Sequence, residues 1–304
     1  MPVKTMILFP YGGYASGSTC ERLFWRLVDT CRDIDEKPIV VLNRDTETQG
    51  NAAAFLGDSR EKKVKTHNVW SVDSCQMWLA GWGHIIDRYP ESSRIVQVPG
   101  DIENIEDETD FFIDIHNFVK ASGDNFIIGD FETGDRYGAK ELIDTYGIYP
   151  LLANWFPNVF KEIRGFHLRR PRSEFLNVET TTLKEFLKYK KFAYEQTLNM
   201  IIRAWDFEKD TWQAKIKRPG IARLGIIKDD SKFRQYGGCL NQIERTERLL
   251  KYLWREIHEP RATGDDQQDE QKYKEFSDDY DDLDRKSTDI REGARIAIRA
   301  LLGT

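Results

Sequence analysis

Cysteine is scarce in this chain, long apolar runs are missing and positive charge is not in excess, and each absence narrows what the protein can be. Its 304 residues include 4 cysteines, Cys20, Cys31, Cys75 and Cys239. None forms a C-x-x-C pair, and Cys20 and Cys31 fall about three turns apart on one predicted helix, beyond disulfide reach. They read as reduced thiols. No apolar stretch approaches the roughly 18 residues of a membrane-spanning helix, and the N-terminus enters a short apolar strand without the h-region and cleavage site of a signal peptide. The expectation is a cytoplasmic protein with no integral membrane segment. A formal charge of -6 excludes the dominant basic face that nucleic acid or an anionic membrane requires, so any basic site is local. The common nucleotide motifs are missing too. There is no G-x-x-x-x-G-K-[ST], and Gly12, Gly13 and Gly17 in "YGGYASG" miss the G-x-G-x-x-G spacing. A D-x-D-x-T nucleophile after the first strand is absent, and His67, His84, His116 and His167 are too scattered for a zinc cluster.

What is present is a core-forming composition, 40% hydrophobic and 12% aromatic, in which apolar runs of strand length alternate with stretches of helical period. "MILF" precedes "CERLFWRLVDTC", where Leu23, Phe24, Leu27, Val28 and Cys31 share one helical face. "IVVL" is a second strand. "SCQMWLAGWGHIIDRY" is helical in period and leads into "RIVQV", a third. "TDFFIDIHNFV" places Phe111, Phe112, Ile115, Phe118 and Val119 on one face before a fourth strand, "FIIG". Strands alternating with helices predict an α/β fold with a doubly wound, mostly parallel sheet.

The later part of the chain reads as helical. "TTLKEFLKYKKFAYEQTLNMIIRAW" has the period of one long packed helix, and "CLNQIERTERLLKYLWREIH" of another. Residues 1–258 are therefore expected to form the main domain with C-terminal helices. Residues 259–288 are rich in Asp, Glu, Gln and Lys and poor in apolar side chains, the composition of an acidic flexible linker. Residues 289–304 then form an amphipathic docking helix with Asp289 as N-cap and Ile290, Ala294, Ala297, Ile298, Leu301 and Leu302 on one face. Docking in cis or on a second copy would cover that face, and the latter predicts a homo-oligomer.

In an open α/β sheet, ligands gather beyond the carboxyl ends of the strands. Here those ends read "PYGG", "NRD", "PGDIE" and "GDFETGD". Asp101 and Glu103 stand two apart, so in an extended exit both point the same way, and two hard oxygen ligands suit Mg²⁺ or Mn²⁺ shared with a diphosphate. The same residues also fit a capped turn, with Glu106, Asp107 and Glu108 as a solvated face at a helix N-terminus. Asp45 is placed to accept hydrogen bonds from a base or ribose. "IRGFHLRRPR" gathers Arg164, His167, Arg169, Arg170 and Arg172, which could grip a phosphorylated acceptor or a leaving diphosphate, or form a basic surface. Glu195 could face the acceptor or pair with Lys191 by i, i+4 spacing. Asp130 fits a strand-exit turn.

The order of these motifs resembles the GT-A glycosyltransferases that use nucleotide sugars, especially those similar to polyprenyl-phosphate hexose synthases, from about Met6 to Trp205. "FPYGG", "VVLNRD" and "VPGDIE" stand where that family has a Pro-containing loop, a base-contacting Asp and a D-x-D metal motif. "IRGFHLRR" resembles its Gly-Phe-Arg segment. The first loop lacks the usual Asn-Glu pair, and His167 stands where an Arg is common. The resemblance implies a hexosyltransferase that takes a nucleoside-diphosphate sugar donor and an acceptor of unassigned identity. It implies donor contacts from Pro10, Tyr11, Gly12, Asn43, Asp45, Asp73 and Gly100, and acceptor contacts from Arg169, Arg172 and His167. Asp101 and Glu103 would hold Mg²⁺ or Mn²⁺, with Asp101 and Arg170 catalytic. A sugar-phosphate nucleotidyltransferase, whose Gly-rich, Arg-containing phosphate loop is not visible in "YGGYASGSTCER" unless Arg22 serves, and a non-catalytic nucleotide-sugar-binding scaffold are the alternatives.

Overall fold

The computed structural model describes residues 4–11, 17–32, 39–44, 65–69, 74–100, 102, 105, 107–133, 139–189, 195–205, 220–227 and 236–302. The chain divides into two compact units. One comprises Met1–Gly134, Arg169–Thr197 and Ala214–Lys228, and the other Asp135–Leu168, Leu198–Gln213 and Asp229–Thr304.

The first unit contains the sheet. Its strands are β1 (Lys4–Tyr11), β2 (Ile39–Arg44), β3 (Lys65–Val69), β4 (Ser92–Gln97), β5 (Phe126–Thr133), β6 (Leu176–Glu179) and β7 (Gly220–Ile227). They lie in the order β3-β2-β1-β4-β6-β5-β7. All pairings are parallel except those of β6, which runs against both β4 and β5. The sheet expected to be mostly parallel is therefore mixed, and the expected strands are joined by β3, β6 and β7. The short β3, KTHNV, lacks an apolar run because it lies at the sheet edge, and β6 has only 4 residues.

Helices lie on both faces. On one face, Ile7, Val96 and Ile127 pack with Leu23, Phe24, Leu27, Val28 and Cys31 of α1 (Thr19–Arg32). Phe111, Phe112, Ile115, Phe118 and Val119 of α2 (Glu108–Lys120) complete that cluster. Side chains alternate across a strand, so Met6 and Ile95, which pair in register, point to the other face. There α3 (Ser74–Arg88), which precedes α2 in the chain, packs on β1 to β4 and brings Trp78, Trp82 and Ile85 into the core. Trp82 meets Phe186 of α4 (Thr180–Phe186) edge to face, with centroids 6.1 Å apart. The expected long helix beyond Thr180 is broken. After α4 comes a short 3-10 turn, Leu187–Tyr189, and α5 (Gln196–Trp205) begins only after Glu195, whose φ of 50° no helix interior accommodates.

A polar cluster locks the reversed strand into place. Arg94 of β4, 4% exposed, donates through Nε to Asn177 Oδ1 of β6 (2.8 Å) and through a terminal nitrogen to the Asp124 carbonyl (2.9 Å). Burial pulls the Arg94 guanidinium pKa down, against the attraction of Glu179 and Asp124. Asn177 Nδ2 in turn donates to the Phe118 and Ala121 carbonyls, each at 2.8 Å, satisfying acceptors that the end of α2 leaves over.

The second unit is helical. It holds α5 from Leu198 onward, α6 (Ala139–Ile143), a π-helical segment (Asp144–Ile148), α7 (Tyr149–Trp155), α8 (Pro157–Gly165), α9 (Tyr236–His258) and α10 (Asp266–Leu302). Residues expected as a flexible acidic linker lie largely within α10, a helix of 37 residues. Intrahelical pairs hold it: Arg285 and Lys286 both meet Asp282, and Arg295 meets Glu292. These spacings favour helix where apolar burial is small. Its N-terminus is capped by Asp265, which accepts from the Gln268 N–H (3.1 Å), so the expected cap Asp289 lies inside the helix. Of the face expected to be covered in cis or by a second copy, Ala294 and Ile298 are buried in cis, Ile290, Ala297 and Leu302 are half-buried, and Leu301 is 45% exposed. Ser287, Ala294 and Ile298 are buried, and Ser287 Oγ accepts from Trp155 Nε1 at 2.6 Å. Phe276 stacks on Trp254 at 5.2 Å and 17°. Glu247 of α9, 2% exposed, is met by Lys251 (2.8 Å) and by Arg291 of α10 (2.9 Å). No described helix is long and apolar enough to cross a membrane.

Gly129 of β5 gives the sharpest test of this packing. A Cβ there would collide with Phe175 Cβ and lie 2.5 Å from Leu224 Cδ1, side chains of the segments that pair on either side. Gly129→Ala is expected to destabilise the protein by about 1–3 kcal/mol, read as a lowered midpoint in urea unfolding.

Candidate functional site

The sheet order creates a place where the chain changes direction. From β1 it passes outward to β2 and β3, then returns to β4 on the other side of β1. Between the carboxyl ends of β1 and β4 lies the switch point at which open α/β sheets bind ligands. Pairing of β1 with β4 ends at Leu8 and Gln97, whereas β1 continues beside β2 through Pro10 with Leu42 and Tyr11 with Asn43. Pro10, which lacks an N–H, thus sits past the β4 ladder, where a missing donor is tolerated. Three expected donor residues, Pro10, Tyr11 and Asn43, are neighbours in this register, and buried Gly100 follows β4 close by in sequence. Gly12, Asp45, Asp73, Asp101 and Glu103 lie outside the described residues, as does Lys191. Among the described residues no group of three or more His, Cys, Asp and Glu could hold a metal ion.

The reversed strand brings basic residues to the same edge. Because β6 is antiparallel to β4 and β5, the residues just before it lie at the carboxyl ends of those strands. Gln97 Nε2 at the end of β4 donates to the Glu174 carbonyl at 2.7 Å, and Gly129 N on β5 to the Phe175 carbonyl at 3.0 Å. Arg169, Arg170 and Arg172 immediately precede this point. Their backbone is set by Asp130, fully buried on β5, whose Oδ1 accepts from the N–H groups of Arg169 (3.0 Å) and Arg170 (2.8 Å). A turn follows, closed by Ser173 N donating to the Arg170 carbonyl at 3.0 Å, with Pro171 at the position where its fixed φ suits a β-turn. Ser173 Oγ then donates to the Gly129 carbonyl at 2.5 Å. Arg170 is 5% exposed and lies over the Phe131 ring, 5.6 Å from its centroid, while Arg169 is exposed.

His167 and Arg164 belong to the helical unit. His167, at φ 52°, ends α8: its N–H donates to the Arg164 carbonyl (3.1 Å), and Leu168 N to the Ile163 carbonyl (3.1 Å). This is the Schellman pattern, in which glycine is the common residue at the left-handed position. The backbone role of His167 was not visible in the sequence because that signal is normally a glycine.

The acidic residues after β4 separate by role. Asp107 is the N-cap of α2, its carboxylate accepting from Thr109 N (2.9 Å) and Asp110 N (3.1 Å). Glu108 binds Arg22 of α1 through both oxygens (2.7 and 3.1 Å) and also meets Arg26. The Arg22 hydrogen bond, then its charge and that of Arg26, hold the Glu108 carboxyl below its ordinary value of 4.5. Arg22 is thereby engaged between helices, which weakens its assignment to a phosphate loop.

Two predictions test these roles. A group with a depressed folded pKa contributes its stability above its ordinary value and loses it as pH falls through the folded one. The stability difference between wild type and Glu108→Gln should therefore be largest above pH 4.5 and shrink on acidification, remaining at about 1 kcal/mol or less because solvent screens the pair. At the end of α8, His167→Gly should raise stability by roughly 1 kcal/mol by removing the left-handed Cβ penalty. Unchanged or lower melting temperature would show that the imidazole contributes more than the cap costs.

No family model and no curated protein matches the sequence. Among solved structures, the chain is similar to a protein from Desulfovibrio desulfuricans G20 described as a nucleotide-diphospho-sugar transferase, with 9% identity over 82% of this chain and 98% of that one, and a TM-score of 0.39. Similarity at that level does not define a shared fold.

Proposed function

We propose that this protein is a glycosyltransferase that moves a hexose from a nucleoside-diphosphate sugar to an acceptor. One observation carries the reading: the reversed β6 brings the segment Arg169 to Arg172 to the carboxyl edge at which β4 ends and runs into "PGDIE". A diphosphate leaving group needs both positive side chains and a means of neutralising its remaining charge; the basic segment lies at this edge, and the acidic motif follows the end of β4 in sequence. Asp101 and Glu103 would hold Mg²⁺ or Mn²⁺, which when bound would offset negative charge on the diphosphate. Tyr11, Gly12, Asn43, Asp45 and Asp73 would line the nucleoside side, with Pro10 and Gly100 shaping the strand exits. Arg169 and Arg172 would take anionic oxygens of donor or acceptor, and Arg170 would steady the departing diphosphate.

The assay is direct. Incubation with UDP- and GDP-sugars and Mn²⁺ should release nucleoside diphosphate, whereas a nucleotidyltransferase would form pyrophosphate from a nucleoside triphosphate and a sugar phosphate. Asp101→Asn should weaken Mn²⁺-dependent binding of UDP or GDP at least about tenfold, equivalent to about 1.4 kcal/mol, with the melting temperature preserved. Equal nucleotide affinity with and without metal in the wild-type protein would remove the metal from the reading.

A further inference from the structure

Arg172 and Glu195 are distant in sequence and meet beside the start of β6. Their charged groups are 3.8 Å apart, and their side chains are 14% and 9% exposed. That separation is longer than a hydrogen bond but within Coulomb range, and partial burial protects the attraction from salt. Glu195 reaches this position through a φ of 50°, unfavourable for a residue with a Cβ and retained only where the surroundings over-determine it. Those surroundings are visible. Thr197 Oγ1, two residues on, donates to the Ser173 carbonyl at 2.5 Å, and Ser173 Oγ is held on the Gly129 carbonyl of β5. The pair is thus fixed from both sides to the carboxyl edge of the sheet.

A guanidinium offers a planar fork of donors matched to carboxylate or phosphate. At 3.8 Å the Glu195 carboxylate balances the charge of Arg172 without a direct hydrogen bond at that contact, whereas a phosphate oxygen could form shorter, charge-assisted bonds. We propose that Glu195 is an internal counter-ion of Arg172, with which a phosphate-bearing ligand at this edge competes, so that Glu195 tunes the affinity of the anion subsite. The proposal rests on reading this edge as the donor site. In that role Glu195 is a positioning residue, and it differs from the helix pairing with Lys191 that spacing suggested.

Titration calorimetry with inorganic pyrophosphate, without metal, on the full chain tests it. Arg172→Ala should weaken binding about tenfold and Glu195→Gln should tighten it severalfold. The gain from Glu195→Gln should vanish in the Arg172→Ala background, because the effect runs through that one side chain. Arg172→Lys, which keeps the charge without the fork, should fall between wild type and alanine, and it decides the matter if the alanine variant does not fold. Tightening that persists without Arg172 would reduce Glu195 to a general surface charge, and the proposal would fail. It would fail equally if Glu195→Gln weakened binding or left it unchanged, or if neither wild type nor Glu195→Gln bound pyrophosphate. Titrating UDP and GDP separates the two readings: nucleoside diphosphates binding no tighter than pyrophosphate would overturn the nucleotide-sugar assignment and leave the Arg172–Glu195 competition standing.

Discussion

One buried carboxylate decides where the chain rejoins the sheet. Asp130 ends the apolar part of β5 with no solvent exposure, and its Oδ1 takes the N–H groups of Arg169 and Arg170. A carboxyl group in that position is tolerated only when hydrogen bonds replace the water it has lost. Once those amides are in place, the Pro171 turn, the Ser173 bond to Gly129 and the antiparallel register of β6 follow in order along the chain. Arg94 and Asn177 then tie β6 to β4 and to the end of α2. The placement of the basic residues therefore goes with the direction of β6, which the Asp130 contacts and the Arg94–Asn177 cluster hold together.

Much of the sheet was legible because "MILF", "IVVL", "RIVQV" and "FIIG" have the length and composition of buried strands, and each falls within a strand of the structure except for Val98, which follows the end of β4. The reversal of β6 was not. "LNVE" is too short for a periodicity signal, and its own Asn177 does not state whether the strand runs up or down; that depends on partners remote in sequence, Arg94 on β4 and the carbonyls at the end of α2. The strand exits were legible as positions, since Pro10, Asn43 and Gly100 follow apolar runs. The pairing of Glu195 was not, because helical spacing is a reliable guide only inside a helix, and a left-handed residue at the head of α5 ends that regime.

Composition misled at the C-terminus for a related reason. Few apolar residues between 259 and 288 suggested a mobile segment, yet charges of opposite sign three and four residues apart support helix, and Trp254, Phe276 and Tyr280 supply a compact aromatic contact. The acidic run after β4 shows the converse. Its residues look alike in sequence, but Asp107 caps a helix and Glu108 joins two helices.

The pairing of β5 with β7 also has a consequence for biogenesis. Ile127 and Gly129 are made early in synthesis, but their partners Gly220 and Ala222 emerge only after the whole span from β6 through α5. Leu224, which packs over Gly129, arrives with them. Until then the nascent sheet presents an open, apolar edge along β5, the kind of edge that templates pairing with other chains. Such distant contacts form slowly, and the interval before they form is when that edge lies open to other chains.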